Sequence, residues 1–139
     1  MSLSHPDSAP AARHQNGALS ALHAWVDAVN RHDLEAIVAI FAPDASFFGT
    51  STQALVSSSE GIRQYFDAVL KNYVPLKVAL GLVTISELSP DSAVITGYDK
   101  WQVTLNGESV EAIGRLSVAV ALRDNHWRII SFHRSAMPD

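Results

Sequence analysis

The chain has 139 residues and a mass of 15.0 kDa, enough for one domain with a single sizeable core and too little for two. Hydrophobic residues make up 47% of it and charged ones only 17%, against about 25% in an ordinary soluble domain, so part of the apolar surplus has a use beyond the core. A formal net charge of -4, with 10 Lys and Arg spread singly, excludes a basic stripe for nucleic acid or an anionic membrane, and the absence of Cys excludes disulfides, thiolate metal sites and a cysteine nucleophile.

Residues 1–16 are rich in Ser, Pro, Ala and His without apolar periodicity and read as a disordered tail ahead of a single domain over 17–139. They hold no hydrophobic segment of the secretory kind, and no apolar run reaches the ~18 residues of a membrane span, so the expected location is cytoplasmic. From Gly17 to Arg31, Leu19, Leu22, Val26 and Val29 recur at three and four, which predicts a first helix with Trp25 beside its buried stripe. Asp33 stands at an N-cap position and Glu35 suits the positive end of the next helix, whose stripe is Leu34, Ile37, Val38 and Phe41, ending before Pro43. Ala45 to Gly49 is short enough for an edge strand or a strand-like turn, and a polar loop follows from Thr50 to Ser58. Ser57 and Glu60 have capping-box spacing, with Ser59 an alternative cap, and Ile62, Tyr65, Phe66, Val69 and Leu70 mark a third helix closed by Asn72 and Pro75.

The second half changes period. Val78, Leu80 and Leu82 alternate, then Val83 and Ile85 take the opposite phase, which predicts a long strand with a bulge near Gly81. Ser89, Pro90 and Asp91 turn the chain into a strand over 93–105, Asn106-Gly107 is a strong hairpin signal, and a third strand alternates from Val110 to Arg123. Asp124-Asn125 makes another tight turn before the last strand, His126 to Ser135. The predicted fold class is α+β: three N-terminal helices packed on a curved antiparallel sheet of four long strands plus a short edge strand.

Asp33-Leu34-Glu35-Ala36-Ile37 running into Phe41-Ala42-Pro43-Asp44-Ala45, in this order of elements, resembles the nuclear transport factor 2-like (SnoaL-like) superfamily over nearly all of the chain after residue 16. Phe48-Gly49-Thr50 with Gly61-Ile62-Arg63 and Tyr65-Phe66, and the closing Trp127 to Ser135 segment ending at Pro138, resemble one branch of it. That branch is the association (hub) domain of calcium/calmodulin-dependent protein kinase II and its free-standing bacterial relatives. The resemblance implies a cone-shaped protomer that assembles with itself through the sheet face, as a homodimer or larger homo-oligomer. It also implies a deep pocket between helices and sheet whose basic residues hold a carboxylate, with no cofactor. By motif, Arg134 and Arg115 correspond to pocket arginines, Lys100 stands where arginine is commoner, and Ile62 stands where the kinase hubs place a histidine.

Strand alternation places Phe132 and Ile130 on the face of Arg134, with Trp127, Ile129, Ser131 and His133 on the other, while Arg115 shares a face with Ile113 and Ser117. Both faces read as too apolar for open solvent, so one is expected under the helices and the other in a subunit contact. A buried arginine must be paired: Arg115 and Arg134 either meet Glu111, Asp99 or another acidic neighbour, or capture an anionic ligand. Tyr65, Phe66, Trp101, Phe41 and Phe47 either line an apolar pocket or are plain core. For proton transfer beside a carbonyl, as in the ketosteroid isomerases and SnoaL-like cyclases, Asp99 and His133 lead a set that includes Tyr98 and Tyr65. The simpler readings are an exposed strand residue for Asp99 and a core histidine for His133. His23 and Asp27 have the i, i+4 spacing of a metal pair, but no third ligand is in view and no metal is expected. The leading expectation is a non-catalytic assembly and ligand-binding domain for a small organic anion; the alternative is an enzyme of the isomerase, cyclase or dehydratase kind.

Overall fold

The computed structural model describes residues 8–139 of the chain. Side-chain caps set the short helices. Asp33 accepts a hydrogen bond from the Ala36 amide at 3.1 Å and starts α2 (Leu34–Ile40), where Ile37 and Val38 are buried. Ser58, the last residue with extended backbone, caps α3 (Ser59–Asn72) by accepting from the Gly61 amide at 3.0 Å, so neither Ser57 nor Ser59 is the cap. α1 runs Ser8–Asn30 and begins well before Gly17, since Ala9, Ala11 and Ala12 are strong helix formers and Pro10 is tolerated in a first turn. Of the tail expected over 1–16, residues 1–7 lie outside the described residues.

The rest of the chain forms one sheet in the order β1-β5-β4-β3-β2. β2 (Lys77–Ser89), β3 (Ser92–Leu105), β4 (Glu108–Arg123) and β5 (His126–Ala136) are the expected antiparallel meander, while β1 (Phe41–Phe48) is an edge strand running parallel to β5 and makes the sheet mixed. The β3–β4 and β4–β5 turns each have two left-handed central residues, Asn106 with Gly107 and Asp124 with Asn125, the geometry that matches the twist of the strands they join. The pairing of β2 with β3 shifts between Leu80 and Val83, which puts a bulge at Gly81 and Leu82.

All three helices lie on one face. Leu22, Trp25 and Val29 of α1, Ile37 of α2, and Ile62 and Phe66 of α3 bury against Val78, Ile95, Leu116, Val118, Val120, Ile129 and Phe132 of the sheet. By register, Asp99, Trp101, Gly114, Leu116, Phe132 and Arg134 share that face, and Tyr98, Lys100, Ile113, Arg115, Ser117 and His133 share the open one. Strict alternation fails at one point in β5. Ile129 pairs with Val120 and Ser131 with Ala119, so Ile130 is an extra residue, and Trp127 and Ile129 fall on the helix side with Phe132 instead of opposite it. The open face is also more polar than expected: Tyr98 and Ile113 stand exposed among Lys100, Gln102, Glu111, Arg115 and Ser117.

Asn30 ties the end of α1 to the free edge of β2. Its Nδ2 donates to the Val78 carbonyl at 2.9 Å and its Oδ1 accepts from the Val78 amide at 2.8 Å. Val78 is 1% exposed, so water cannot take over both backbone groups. Asn30→Ala is expected to lower stability by about 2–4 kcal/mol, measured by urea unfolding, because two buried backbone groups lose their partners. A loss below about 0.5 kcal/mol would mean that water reaches them after all.

Candidate functional site

Asp99 is the single charged residue fully inside the core among the described residues, at 1% exposure. A carboxylate there must be matched, and three N–H groups converge on it. Arg134 Nε lies 2.9 Å from both oxygens, Arg134 Nη2 donates to Oδ1 at 2.8 Å, and Trp101 Nε1 donates to Oδ2 at 3.0 Å. Arg134 also donates from Nη1 to Thr50 Oγ1 at 2.6 Å and from Nη2 to the Ala112 carbonyl at 3.4 Å, and its guanidinium sits 5.7 Å from the centre of the Trp101 ring. Space for this group comes from Gly114, where a Cβ would stand 2.3 Å from the guanidinium. Of a guanidinium's five N–H bonds, four are thereby taken, and one on Nη1 has no acceptor among the described residues.

Beside the ion pair lies a cavity of about 250 Å³ between the helices and the sheet. Its walls are Trp25 of α1, Phe47 of β1, Tyr65 and Phe66 of α3, Trp101 of β3 and Phe132 of β5, and Arg134 with Gly49, Thr50 and Ser51 forms its polar end. The rings brace one another: Phe47 stacks on Phe132 at 5.1 Å and meets Tyr65 edge-on at 4.9 Å. At Gly49 a Cβ would come within 2.3 Å of the Tyr65 ring, so the bare backbone lets that ring close over the loop. Thr52 fixes the loop by accepting from the Gly49 amide at 2.9 Å and donating to its carbonyl at 3.0 Å. Burial pushes the Tyr65 hydroxyl above the ordinary phenol value, and a hydrogen bond with Ser51 and the positive Arg134 act the other way. Tyr65 is therefore a neutral hydroxyl at physiological pH, held at the polar end beside Ser51 and Thr50.

The structure divides the residues singled out from the sequence. Arg134, Tyr65, Phe66 and Trp101 line the cavity, with Asp99 directly behind Arg134. Arg115 does not reach it: Leu116 pairs with Arg134, so Arg115 points to the open face, where its Nε donates to Ser135 Oγ at 3.1 Å. Lys100 lies between two inward residues and so faces outward too, 3.7 Å from Glu111. His133 is exposed on the open face with its ring 5.4 Å from Phe48, neither in the core nor in the cavity, and Asp99 is buried where the simpler reading had it exposed. Ile62 is core. His23 and Asp27 are both exposed on α1, and no group of three or more metal-binding side chains occurs among the described residues. Sequence reasoning missed Trp25, Thr50, Ser51 and the clearance at Gly114. Trp25 stood beside a helical stripe and Gly114 in an apolar row, and neither pattern signals a cavity.

The chain belongs to the SnoaL-like domain family, whose model matches residues 18–139. No curated protein matches it by sequence. Among solved structures it is similar to a protein from Xanthomonas campestris provisionally named a calcium/calmodulin-dependent protein kinase II association domain, at 29% identity and a TM-score of 0.80, covering 87% of this chain and 86% of that one. It is also similar in fold to a provisionally named dehydratase of the nuclear transport factor 2-like family from Streptomyces avermitilis, at 15% identity and a TM-score of 0.82 over 91% and 99% of the two chains. A provisionally named scytalone dehydratase from Novosphingobium aromaticivorans shares the fold at 10% identity and a TM-score of 0.83 over 94% and 89%.

Arg134→Ala leaves the Asp99 carboxyl buried without its counter-ion, with Trp101 Nε1 as its remaining donor, and is expected to lower stability by about 3–5 kcal/mol; the double variant Asp99→Asn with Arg134→Gln should lose clearly less, because no buried ionisable pair is broken. Equal losses in urea unfolding would show that the pair is not coupled. At high pH a second effect follows from Tyr65. Its hydroxyl ionises at a higher pH in the folded chain than the ordinary 10.0 of the unfolded one, so above pH 10 the unfolded state sheds its proton first and stability falls as pH rises. Tyr65→Phe is expected to remove that part of the alkaline slope; an unchanged slope would place the Tyr65 hydroxyl in water.

Proposed function

We propose that this SnoaL-like domain is a self-associating ligand-binding module whose cavity takes a small aromatic carboxylate head-first against Arg134. The observation that carries the reading is the pairing of an aromatic-walled cavity with a donor cluster at one end: the spare Nη1 hydrogen of Arg134 and the neutral Tyr65 hydroxyl. A carboxylate enters apolar surroundings only where such donors replace its water. A cavity of about 150 Å³ holds benzene, so about 250 Å³ suits one or two fused rings. Asp99 supports binding over proton transfer, since both of its oxygens are engaged by Arg134 and Trp101 and it lies behind the guanidinium. The likeness to the Xanthomonas campestris protein favours the same reading.

Self-association fits the open sheet face, where exposed Tyr98 and Ile113 lie diagonally on neighbouring strands, opposite Arg115 and Lys100, within a polar surround. No helix among the described residues is long and apolar enough to cross a membrane.

Calorimetry with 2-naphthoate and its uncharged analogue 2-acetonaphthone tests the ligand. The acid should bind the wild type at least about tenfold more tightly than the ketone, and the double variant Asp99→Asn with Arg134→Gln should lose that preference. Equal affinities would dismiss the anion reading. Sedimentation should show a dimer or larger species that Ile113→Glu dissociates; a 15.0 kDa monomer at micromolar concentration would remove the assembly half.

A further inference from the structure

We infer that the cavity selects its ligand by charge number: it takes an aromatic monoanion and rejects the dianion of a phosphate monoester, because Asp99 already balances its one cation. This rests on the carboxylate reading above and adds a ceiling on the charge the ligand can carry.

Among the described residues Arg134 is the one charged residue on the cavity wall, where the hydroxyls of Thr50, Ser51, Tyr65 and Tyr73 are its polar company. Asp99 holds the Nε and Nη2 side of the guanidinium, with Nε 2.9 Å from both oxygens and Nη2 2.8 Å from Oδ1, while Nη1 turns to Thr50. Side-chain exposures of 11% for Arg134 and 0% for Asp99 put the cation on the accessible side of the pair. The pair is therefore neutral as a whole, with its positive end towards the cavity. No second cation supports it, because Lys100 and Arg115 lie on the open face with Glu111 and Ser135.

Such a dipole suits a single negative charge. The cost of taking an ion out of water grows with the square of its charge, so a dianion loses about four times what a monoanion of the same size loses. Its attraction to the guanidinium only doubles, and so does its repulsion by the Asp99 carboxylate behind. Desolvation thus outruns attraction at the second charge. The supply of donors acts in the same direction: one Nη1 hydrogen and the Tyr65 hydroxyl match the two oxygens of a carboxylate, whereas a phosphate dianion presents three strong acceptors.

The experiment measures 2-naphthyl sulfate and 2-naphthyl phosphate by calorimetry, with 2-naphthoate as the reference. The two esters share their rings and a tetrahedral head, but the sulfate carries one charge throughout and the phosphate passes from one towards two around pH 6. At pH 8 the sulfate is expected to bind the wild type at least about tenfold more tightly than the phosphate, and at pH 5 the two should agree within about threefold. The sulfate, measured at both pH values, separates titration of the protein from titration of the ligand. Asp99→Asn removes the balancing charge and should bring the phosphate level with the sulfate at pH 8; the wild-type comparison decides by itself if that variant does not fold. Equal affinities of the esters for the wild type at pH 8, a gap that persists at pH 5, or a gap unchanged in folded Asp99→Asn overturns the inference and leaves the carboxylate reading standing. Rejection of both esters while 2-naphthoate binds does the same, since the shape of the head then discriminates. Failure of 2-naphthoate to bind overturns both.

Discussion

The ion pair between Asp99 and Arg134 is the constraint on which the closed end of the molecule depends. A carboxylate at 1% exposure has no water to fall back on, so the chain must bring it a cation and further donors. That requirement links three strands and a loop. β3 supplies Asp99 and Trp101, β5 supplies Arg134, β4 must be bare at Gly114 for the guanidinium to lie across it, and the loop after β1 supplies Thr50. A one-residue slip of β5 against β4 would turn Arg134 to the open face and strand Asp99, so the pair makes the register of the central sheet an all-or-none matter.

The same pair changes what Arg134 can offer a ligand. Its charge is already balanced by Asp99, so it does not act as a free cation that draws any anion; it acts as an oriented donor whose position is fixed by four bonds to the protein. Fixing a donor before binding removes the ordering cost that a mobile side chain would pay. The sparse charge of the composition takes on a sharper meaning here. Of the three basic residues expected inside, Arg134 is the one that enters, and Arg115 and Lys100 remain on the open face with Ser135 and Glu111.

Much of the fold was legible because local chemistry announces it. Asp33 as a cap, Asn106-Gly107 and Asp124-Asn125 as left-handed turns, and the phase change at Gly81 are each readable from a few adjacent residues. The site was legible only in part, because faces are set by pairing between strands. Arg115 and Arg134 look alike within their own strands, and only the match of Leu116 to Arg134 puts them on opposite sides. The bulge at Ile130 lies within an Ile-Ile pair with no glycine or proline to mark it, and it reverses the facing of Trp127 and Ile129. Asp99 and Lys100 are neighbours of opposite charge, so one had to face inward; the pairing partner on β5 decided which.

The cavity is also where local consistency breaks down. Elsewhere the buried side chains are matched, and Asn30 meets both backbone groups of Val78 at the edge of β2. At the cavity one N–H of Arg134 and the N–H of Trp25 have no acceptor, and Gly49 and Gly114 give up side chains to make room. A buried donor without a partner costs stability, and stability given up in one place is characteristic of a site shaped for something other than folding.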